Sequence, residues 1–162
     1  MADFKNQIKI ITQGSTSHTL SLPHIFIKYI EKYKEYDVYK REKYMASLLN
    51  RFEWYPTLLY SDDLHQILIF RNVGVSINNK NKPKNLEKQF NKILKDMKSL
   101  NIKHNDIKNE EILVGKNNKI YLCDFGWASI DDDLGCKIGL CNKPKPAGII
   151  DDDSTLKRLK LI

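Results

Sequence analysis

Two aspartates, Asp106 and Asp124, stand at the two ends of a predicted β-hairpin. Asp106 lies in a polar loop, and the apolar runs "EEILV" and "KIYLCDF" follow it, joined by the turn-forming segment "GKNNK". A loop and a hairpin are long enough to return the chain to its starting point, so both carboxylates are expected at one site. Lys108, two residues after Asp106, adds a positive charge there. The pattern predicts a loop that holds a carboxylate beside an anionic ligand.

The first half of the chain predicts a small antiparallel sheet with one helix. The segment "IKIITQGSTSHTLSL" has apolar residues on both sides of a Gly/Ser/Thr turn, and "HIFIKYI" is a compact β-like run. Between residues 38 and 52, an amphipathic helix is predicted by the spacing of Met45, Leu48, Leu49 and Phe52, with Glu42 at the edge of its buried stripe. The segment "LLYSDDLHQILIF" then predicts a hairpin with its turn at "SDD".

The second half begins after the polar, lysine-rich segment "NNKNKPK", which resembles a linker. We therefore predict two units, a β-rich unit at 1–76 and a more helical unit at 77–162. A strong helical stripe follows the linker and consists of Leu86, Phe90, Ile93, Leu94, Met97 and Leu100. The final segment "DDDSTLKRLKLI" predicts one more helix, capped by Asp152 or Asp153.

The composition is that of a globular, intracellular protein. Of 162 residues, 41% are apolar and 29% are charged, no apolar run approaches the ~20 residues of a membrane span, and the N-terminus lacks the apolar centre of a signal peptide. The three cysteines, Cys123, Cys136 and Cys141, form no CxxC pair and have no histidines nearby, so we expect free thiols rather than disulfides or zinc. We expect a cytoplasmic protein that does not bind membranes.

The net charge of +7 is concentrated in one region. Residues 80–108 contain nine lysines against Glu87, Asp96 and Asp106. Such a segment is either a solvated helix face or a surface for an acidic or nucleic-acid partner, although no Arg/aromatic interleaving or nucleic-acid motif accompanies it.

The motifs and their order resemble the protein-kinase family over roughly residues 8 to 130. "HNDIKNEEILV" is similar to the catalytic loop H-R-D-L-x-x-x-N, and "CDFGWAS" is similar to the DFG segment that follows it. The resemblance implies an α+β fold, namely a minimal bilobal kinase-like fold with a small antiparallel-sheet lobe and a reduced helical lobe. It also implies ATP and Mg²⁺ (or Mn²⁺) as cofactors.

Site residues follow from the resemblance position by position. Asp106 matches the catalytic base, and Lys108 matches the lysine that offsets charge on the transferring phosphoryl group. Asp124 matches the metal-binding aspartate, and Glu111 stands where the family has a metal-binding asparagine. A turn-capping role is the alternative for Asp106, and a surface position is the alternative for Lys108.

The resemblance also predicts a set of nucleotide-binding residues in the first half. Lys28 matches the strand lysine that binds phosphates, with Glu42 as its helix partner; the alternative is a solvent-facing strand lysine. The remaining matches are a phosphate loop that includes Gly14 and Ser15, and the lobe junction around Arg71 and Val73, whose backbone would meet adenine.

Several positions depart from the family pattern. Phe26 replaces a small residue of the adenine pocket, Asn105 replaces the arginine that reads activation-loop phosphorylation, and Glu111 adds a negative charge. No A-P-E motif follows "DFG", and in compactness the chain is similar to the small RIO-type atypical kinases. The final predicted helix resembles a truncated version of the helix that supports the catalytic loop in kinases. His104 is expected to be structural.

The sequence therefore predicts an ATP-dependent Ser/Thr protein-kinase-like phosphotransferase. Two alternatives stay open: a pseudokinase that binds nucleotide or a partner without catalysis, and a basic RNA-associated protein. The Asn-, Lys- and Ile-rich composition is typical of an AT-rich genome such as that of a large DNA virus, which would place the protein in the host cytoplasm.

Overall fold

The computed structural model describes residues 9–13, 17–32, 37–131 and 152–158. These residues form a mixed α+β fold, which confirms the α+β part of the predicted fold class. The helices are α1 (Val38–Leu49), α2 (Leu86–Lys98) and α3 (Thr155–Arg158). The strands are β1 (Lys9–Gln13), β2 (Ser17–Ser21), β3 (Ile25–Ile30), β4 (Leu58–Asp62), β5 (Ile67–Arg71), β6 (Val75–Ser76), β7 (Ile102–Lys103), β8 (Ile112–Val114), β9 (Ile120–Leu122) and β10 (Ser129–Ile130).

Strands β1 to β5 form the predicted antiparallel sheet, in the order β1-β2-β3-β5-β4. Strand β1 pairs antiparallel with β2, with Gln13 opposite His18. On the central strand β3, Lys28 lies opposite Thr19 on one side and Leu68 on the other. Because cross-strand partners share a face, Lys28 points to the buried side of the sheet, where Leu68 is fully enclosed.

The hairpin between β4 and β5 is confirmed, but the predicted turn was wrong by about two residues. Strand β4 continues through Asp62, and the turn follows it. The Asp62 side chain accepts hydrogen bonds from the backbone N–H groups of Leu64 (2.9 Å) and His65 (3.1 Å). An aspartate that bonds the backbone two and three residues ahead forms the turn by itself, which moves the turn toward the C-terminus.

Helix α1 has a buried stripe that includes Met45, Ala46 and Leu49, and the helix packs against the segment Phe125–Trp127. It begins after Asp37, whose carboxylate accepts from Lys40 N at 2.9 Å. The helix ends at Leu49, three residues before the predicted end at Phe52, because the chain there turns sharply. Residues 50–57 then lead to β4.

Helix α2 confirms the second predicted stripe, with Phe90, Ile93 and Met97 buried and the lysines outside. The predicted hairpin is β8–β9, and β6 pairs with β8 to make a three-stranded sheet. The short pair β7–β10 was not predicted. None of the described helices is long and apolar enough to cross a bilayer.

Two glycines mark a close backbone crossing between the β5–β6 connection and the end of β8. A Cβ on Gly74 would lie 2.1 Å from the Val114 carbonyl oxygen, and a Cβ on Gly115 would lie 2.3 Å from the Val73 carbonyl oxygen. Neither position has room for a side chain, so the two backbones touch directly.

Candidate active site

Lys28 is the buried centre of an ionic cluster built from three separate elements. Its Nζ donates to Glu42 Oε2 on α1 and to Asp124 Oδ1 after β9, both at 2.7 Å. Lys28 is 3% exposed and Glu42 is 2% exposed. The predicted contact between Lys28 and Glu42 is therefore present, and the alternative of a solvent-facing Lys28 was wrong.

One ammonium group serves two carboxylates in this cluster. Burial by itself lowers the pKa of Lys28, but the charges of Asp124 and Glu42 outweigh it and hold the pKa above its ordinary value. Burial opposes ionisation of Asp124 too, yet the charge of Lys28 keeps the pKa of Asp124 low. Burial raises the pKa of Glu42 to about 7 against the opposing charge of Lys28. Glu42 is thus the member of the cluster that takes up a proton near neutral pH.

Asp106 and Lys108 lie side by side in the loop before β8. Lys108 Nζ donates to Asp106 Oδ2 at 2.9 Å, and Asp106 is almost fully buried while Lys108 is half-exposed. Burial lowers the pKa of Lys108, but the hydrogen bond to Asp106 and the charge of Glu111 raise it to a net value above the ordinary one. The loop therefore presents a carboxylate and an ammonium group together, with the ammonium reaching solvent.

Glu111 bonds to the backbone of the same loop. Its Oε2 accepts from Lys108 N at 2.8 Å and so closes a short 3₁₀ turn, Asn109–Glu111. Its side chain is buried, and burial, followed by the charge of Asp124, raises the pKa of Glu111 to about 7. Glu111 is thus close enough to Asp124 and Asp106 to feel both charges, while one of its oxygens is occupied by the backbone.

Asp152, just before α3, bonds to the backbone of the loop that carries Asp106. Asp152 Oδ2 accepts from His104 N at 2.6 Å, and Oδ1 accepts from Asn105 N at 3.0 Å. The final helix was expected to resemble one that supports this loop, with Asp152 or Asp153 as its cap, but the bonds from the Asp152 side chain to the loop itself were not predicted. Two charge-assisted hydrogen bonds fix the backbone immediately before Asp106.

His104 and Asn105 connect this loop to the segment after β9. His104 Nε2 donates to the Cys123 carbonyl at 2.9 Å, and its ring meets the Phe125 ring edge-on at a centroid distance of 4.5 Å. The buried Asn105 amide donates to the Trp127 carbonyl at 3.1 Å and to Ser129 Oγ at 3.0 Å. His104 is structural, as predicted, and Asn105 has a structural role that the sequence did not reveal.

The backbone around Asp124 and Gly126 is constrained in two ways, by a left-handed conformation and by close packing against α1. Asp124 adopts a left-handed conformation with φ 63°, which is uncommon for a residue with a side chain and turns its carboxylate toward Lys28. A Cβ on Gly126 would lie 2.5 Å from Val38 Cγ1 at the start of α1. Glycine thus lets this segment pack directly against α1, the helix that carries Glu42.

Other predicted nucleotide-binding residues are less closely tied to this cluster. Gly14 and Ser15 lie outside the described residues. At the end of β5, Arg71 N donates to the Thr57 carbonyl at 2.9 Å, so this N–H is used within the sheet; Val73 follows in the connection to β6. Phe26 is on the same face of β3 as Lys28 and is partly buried against the core.

The possible metal ligands at this site, Asp124 and Glu111, would supply carboxylate oxygens, which suit a hard cation such as Mg²⁺. Within the described part of the chain, no three His, Cys, Asp or Glu side chains are grouped closely enough to hold a metal ion as they stand. Asp124 Oδ1 accepts from Lys28 and Glu111 Oε2 accepts from Lys108 N, so one oxygen of each carboxylate already has a partner. Cys123 is a free thiol whose pKa is raised by burial, whereas Cys136 and Cys141 lie outside the described residues.

No protein-family model matches the sequence, and no curated protein is significantly similar to it.

Proposed function

We propose that this chain is an ATP- and Mg²⁺-dependent phosphotransferase with a minimal, bilobal protein-kinase-like fold. The observation that carries the proposal is Lys28, a buried lysine on a central strand that bonds Glu42 and Asp124 at 2.7 Å each. Three residues that the sequence motifs single out separately thus meet in space. A buried ammonium group between carboxylates is a costly arrangement, and it is typical of functional sites.

The proposed roles follow from the contacts. Asp106 accepts the proton of an attacking Ser or Thr hydroxyl, and Lys108, whose ammonium reaches solvent 2.9 Å from Asp106, offsets negative charge on the transferred phosphoryl group. Lys28 binds the nucleotide phosphates while Glu42 holds it in place. Because the loop before Asp106 is fixed by Asp152, the base is positioned before the substrate arrives.

Asp124 and Glu111 would hold the Mg²⁺ ion, whose charge offsets that of the phosphates. Their oxygen chemistry fits the ion, and Glu111, with its pKa near 7, must give up its remaining proton to bind it. ATP is an intracellular substrate, and for this reason we also propose a cytoplasmic location.

The direct test is phosphate transfer from radiolabelled ATP to the protein itself and to a generic basic substrate, with Mg²⁺ or with Mn²⁺. We expect Asp106→Asn to lower turnover at least ~100-fold while nucleotide affinity stays within about twofold, because the base acts on the hydroxyl rather than on ATP. Asp63→Asn, which changes an exposed carboxylate outside the site, is the matched control. Equal turnover in the Asp106→Asn variant and wild type would refute the assignment.

A pseudokinase is the second candidate, and Glu111 is the observation that favours it. A carboxyl group with a pKa near 7 and one oxygen held by Lys108 N is a poor ligand for Mg²⁺ at neutral pH. Calorimetric titration with ATP separates the two candidates. Nucleotide binding that is abolished in Lys28→Met, together with no turnover in wild type, would establish the pseudokinase.

A further inference from the structure

A cavity of about 430 Å³ lies where the end of α1, the middle of α2 and the start of β9 meet. Its size is within the roughly 300–1,000 Å³ typical of ligand pockets. None of its lining residues belongs to the candidate active site. The cavity is therefore a separate feature of the surface.

Cationic side chains from three elements surround this cavity. Arg51 follows α1, Lys92 is on α2 and Lys119 precedes β9. Exposed Lys88 and Lys95 continue the charge along α2, since residues three and four apart share a helix face. We call these five residues and the space that they surround the basic cavity. No local sequence pattern indicated that Arg51 and Lys119 would join the lysines of α2.

Two carboxylates already contact these cations, but the contacts are weak. Lys119 bonds Glu53 at 2.9 Å and Lys92 bonds Asp96 at 2.7 Å, and each pair has one largely exposed member, Glu53 in the first and Lys92 in the second. Solvent screens exposed ion pairs, so an incoming anion can displace them. Asp96 also accepts from Trp54 Nε1 at 2.9 Å, which leaves it oriented when Lys92 moves away.

The aromatic residues of the cavity favour a protein over a nucleic acid. One face of the Phe52 ring is covered by Arg51, at 5.1 Å from the centroid, and the ring also stacks on Trp54 at 5.4 Å. Trp54 itself is buried. Single-stranded nucleic acids need open aromatic faces on which bases stack, and these rings offer little such area.

The interior of the cavity is apolar and firmly held. Ile93 and Ile120 are buried in its wall. Gln89 Nε2 donates to the Asn118 carbonyl at 2.8 Å, and Gln89 Oε1 accepts from Ile120 N at 3.0 Å. These bonds fix β9 against α2, so the wall exists before any ligand binds.

We propose that the basic cavity binds an acidic segment of a partner protein, with one apolar side chain in the cavity and flanking carboxylates on Arg51, Lys92 and Lys119. The apolar wall accepts the side chain, and the cations complement the carboxylates. Binding here does not require phosphate transfer at the other site.

The test uses fluorescence anisotropy with three labelled probes: a short glutamate-rich peptide with a central leucine, the same peptide with serine in place of leucine, and a single-stranded RNA of equal charge. We expect the leucine peptide to bind tightest, with the serine peptide about tenfold weaker. Tighter binding of the RNA, or equal binding of the two peptides, would overturn the proposal.

Variants then locate the binding site. Lys92→Glu/Lys119→Glu should weaken the leucine peptide at least about tenfold, and Lys92→Gln/Lys119→Gln should weaken it less but clearly. The matched control is Lys40→Glu/Lys43→Glu on the first half of α1, which changes the net charge equally and also replaces lysines that pair with carboxylates. Equal losses in the control and in the cavity variants would show that only net charge matters and would overturn the proposal. Circular dichroism confirms folding of each variant.

Discussion

Replacing Glu111 by glutamine tests whether its charge is as poorly solvated as its surroundings indicate. The amide oxygen of glutamine can still accept from Lys108 N, so the 3₁₀ turn is kept while the ionisable group is removed. The pKa of Glu111 is raised from 4.5 to about 7. At about 1.4 kcal/mol for each tenfold change in proton affinity, this corresponds to roughly 3 kcal/mol of folding free energy.

The sign of the effect follows from proton linkage. A carboxyl group with a raised pKa holds its proton more tightly in the folded state than in the unfolded state. Its contribution to stability is fully present below about pH 4.5 and is lost as the pH rises through about 7. Wild type should therefore be destabilised by ionised Glu111 above neutral pH, and Glu111→Gln should not.

The assay is urea unfolding in EDTA between about pH 5 and pH 8. Glu111→Gln should exceed wild type by up to about 3 kcal/mol near pH 8, or roughly 6–12 °C in Tm, and the difference should shrink toward about pH 5. Glu42 has a similar pKa but is present in both proteins, so its contribution cancels in the comparison. Glu53→Gln, at an exposed carboxylate, is the control. Parallel pH profiles for Glu111→Gln and wild type would refute the reasoning and would mean that Glu111 is well solvated.

Three other substitutions have definite expectations. Lys28→Met should abolish ATP binding in calorimetry and destabilise the fold by about 3 kcal/mol, because it leaves the buried Glu42 carboxylate without a counter-charge; Lys103→Met, at an exposed strand lysine, should do neither. Asp152→Ala should speed hydrogen exchange of the two amides that it binds and lower turnover more than nucleotide affinity; unchanged exchange would contradict this role. Gly126→Ala should cost about 1–3 kcal/mol in thermal unfolding by overpacking against Val38, and Val38→Ala should restore part of that loss; no rescue would place the strain elsewhere.

The parts of the fold that were predicted correctly are those determined by local periodicity. The stripes of α1 and α2 and the hairpin β8–β9 each depend on residues within about a dozen positions of one another. The same reasoning failed where a side chain changed the local geometry, as at Asp62, whose bonds to the following backbone moved the β4–β5 turn. Strands β7 and β10 have two residues each, too few to show any alternation.

In the candidate site, too, some residues could be identified from the sequence and others could not. Lys28, Glu42, Asp106 and Asp124 stood out because a charge within an apolar or motif-like segment is visible in sequence. Asp152 did not, because its partners at residues 104 and 105 lie almost 50 positions earlier, and no local pattern encodes such a contact. Whether these residues transfer phosphate stays a prediction.

The role of Asn105 shows a different limit. Compared with the kinase pattern, it appeared only as a missing arginine. Its buried amide in fact ties the loop to Trp127 and Ser129, and a shorter neutral side chain is suited to that enclosed position. A departure from a motif can therefore supply a contact as well as remove one.

The backbone crossing at Gly74 and Gly115 has a consequence for sequence divergence. Because the two segments touch chiefly through main-chain atoms, the way the β5–β6 connection meets the β8–β9 hairpin depends on the two glycines and on the Tyr121 ring beside Gly115. Related sequences are therefore expected to vary in charge and size at other positions around the crossing as long as both glycines remain. A substitution at either glycine would push apart the segments that link the five-stranded sheet to the loop that carries Asp106. In distant relatives, we expect these two glycines and the spacing between them to be retained when most surface residues around the site have changed.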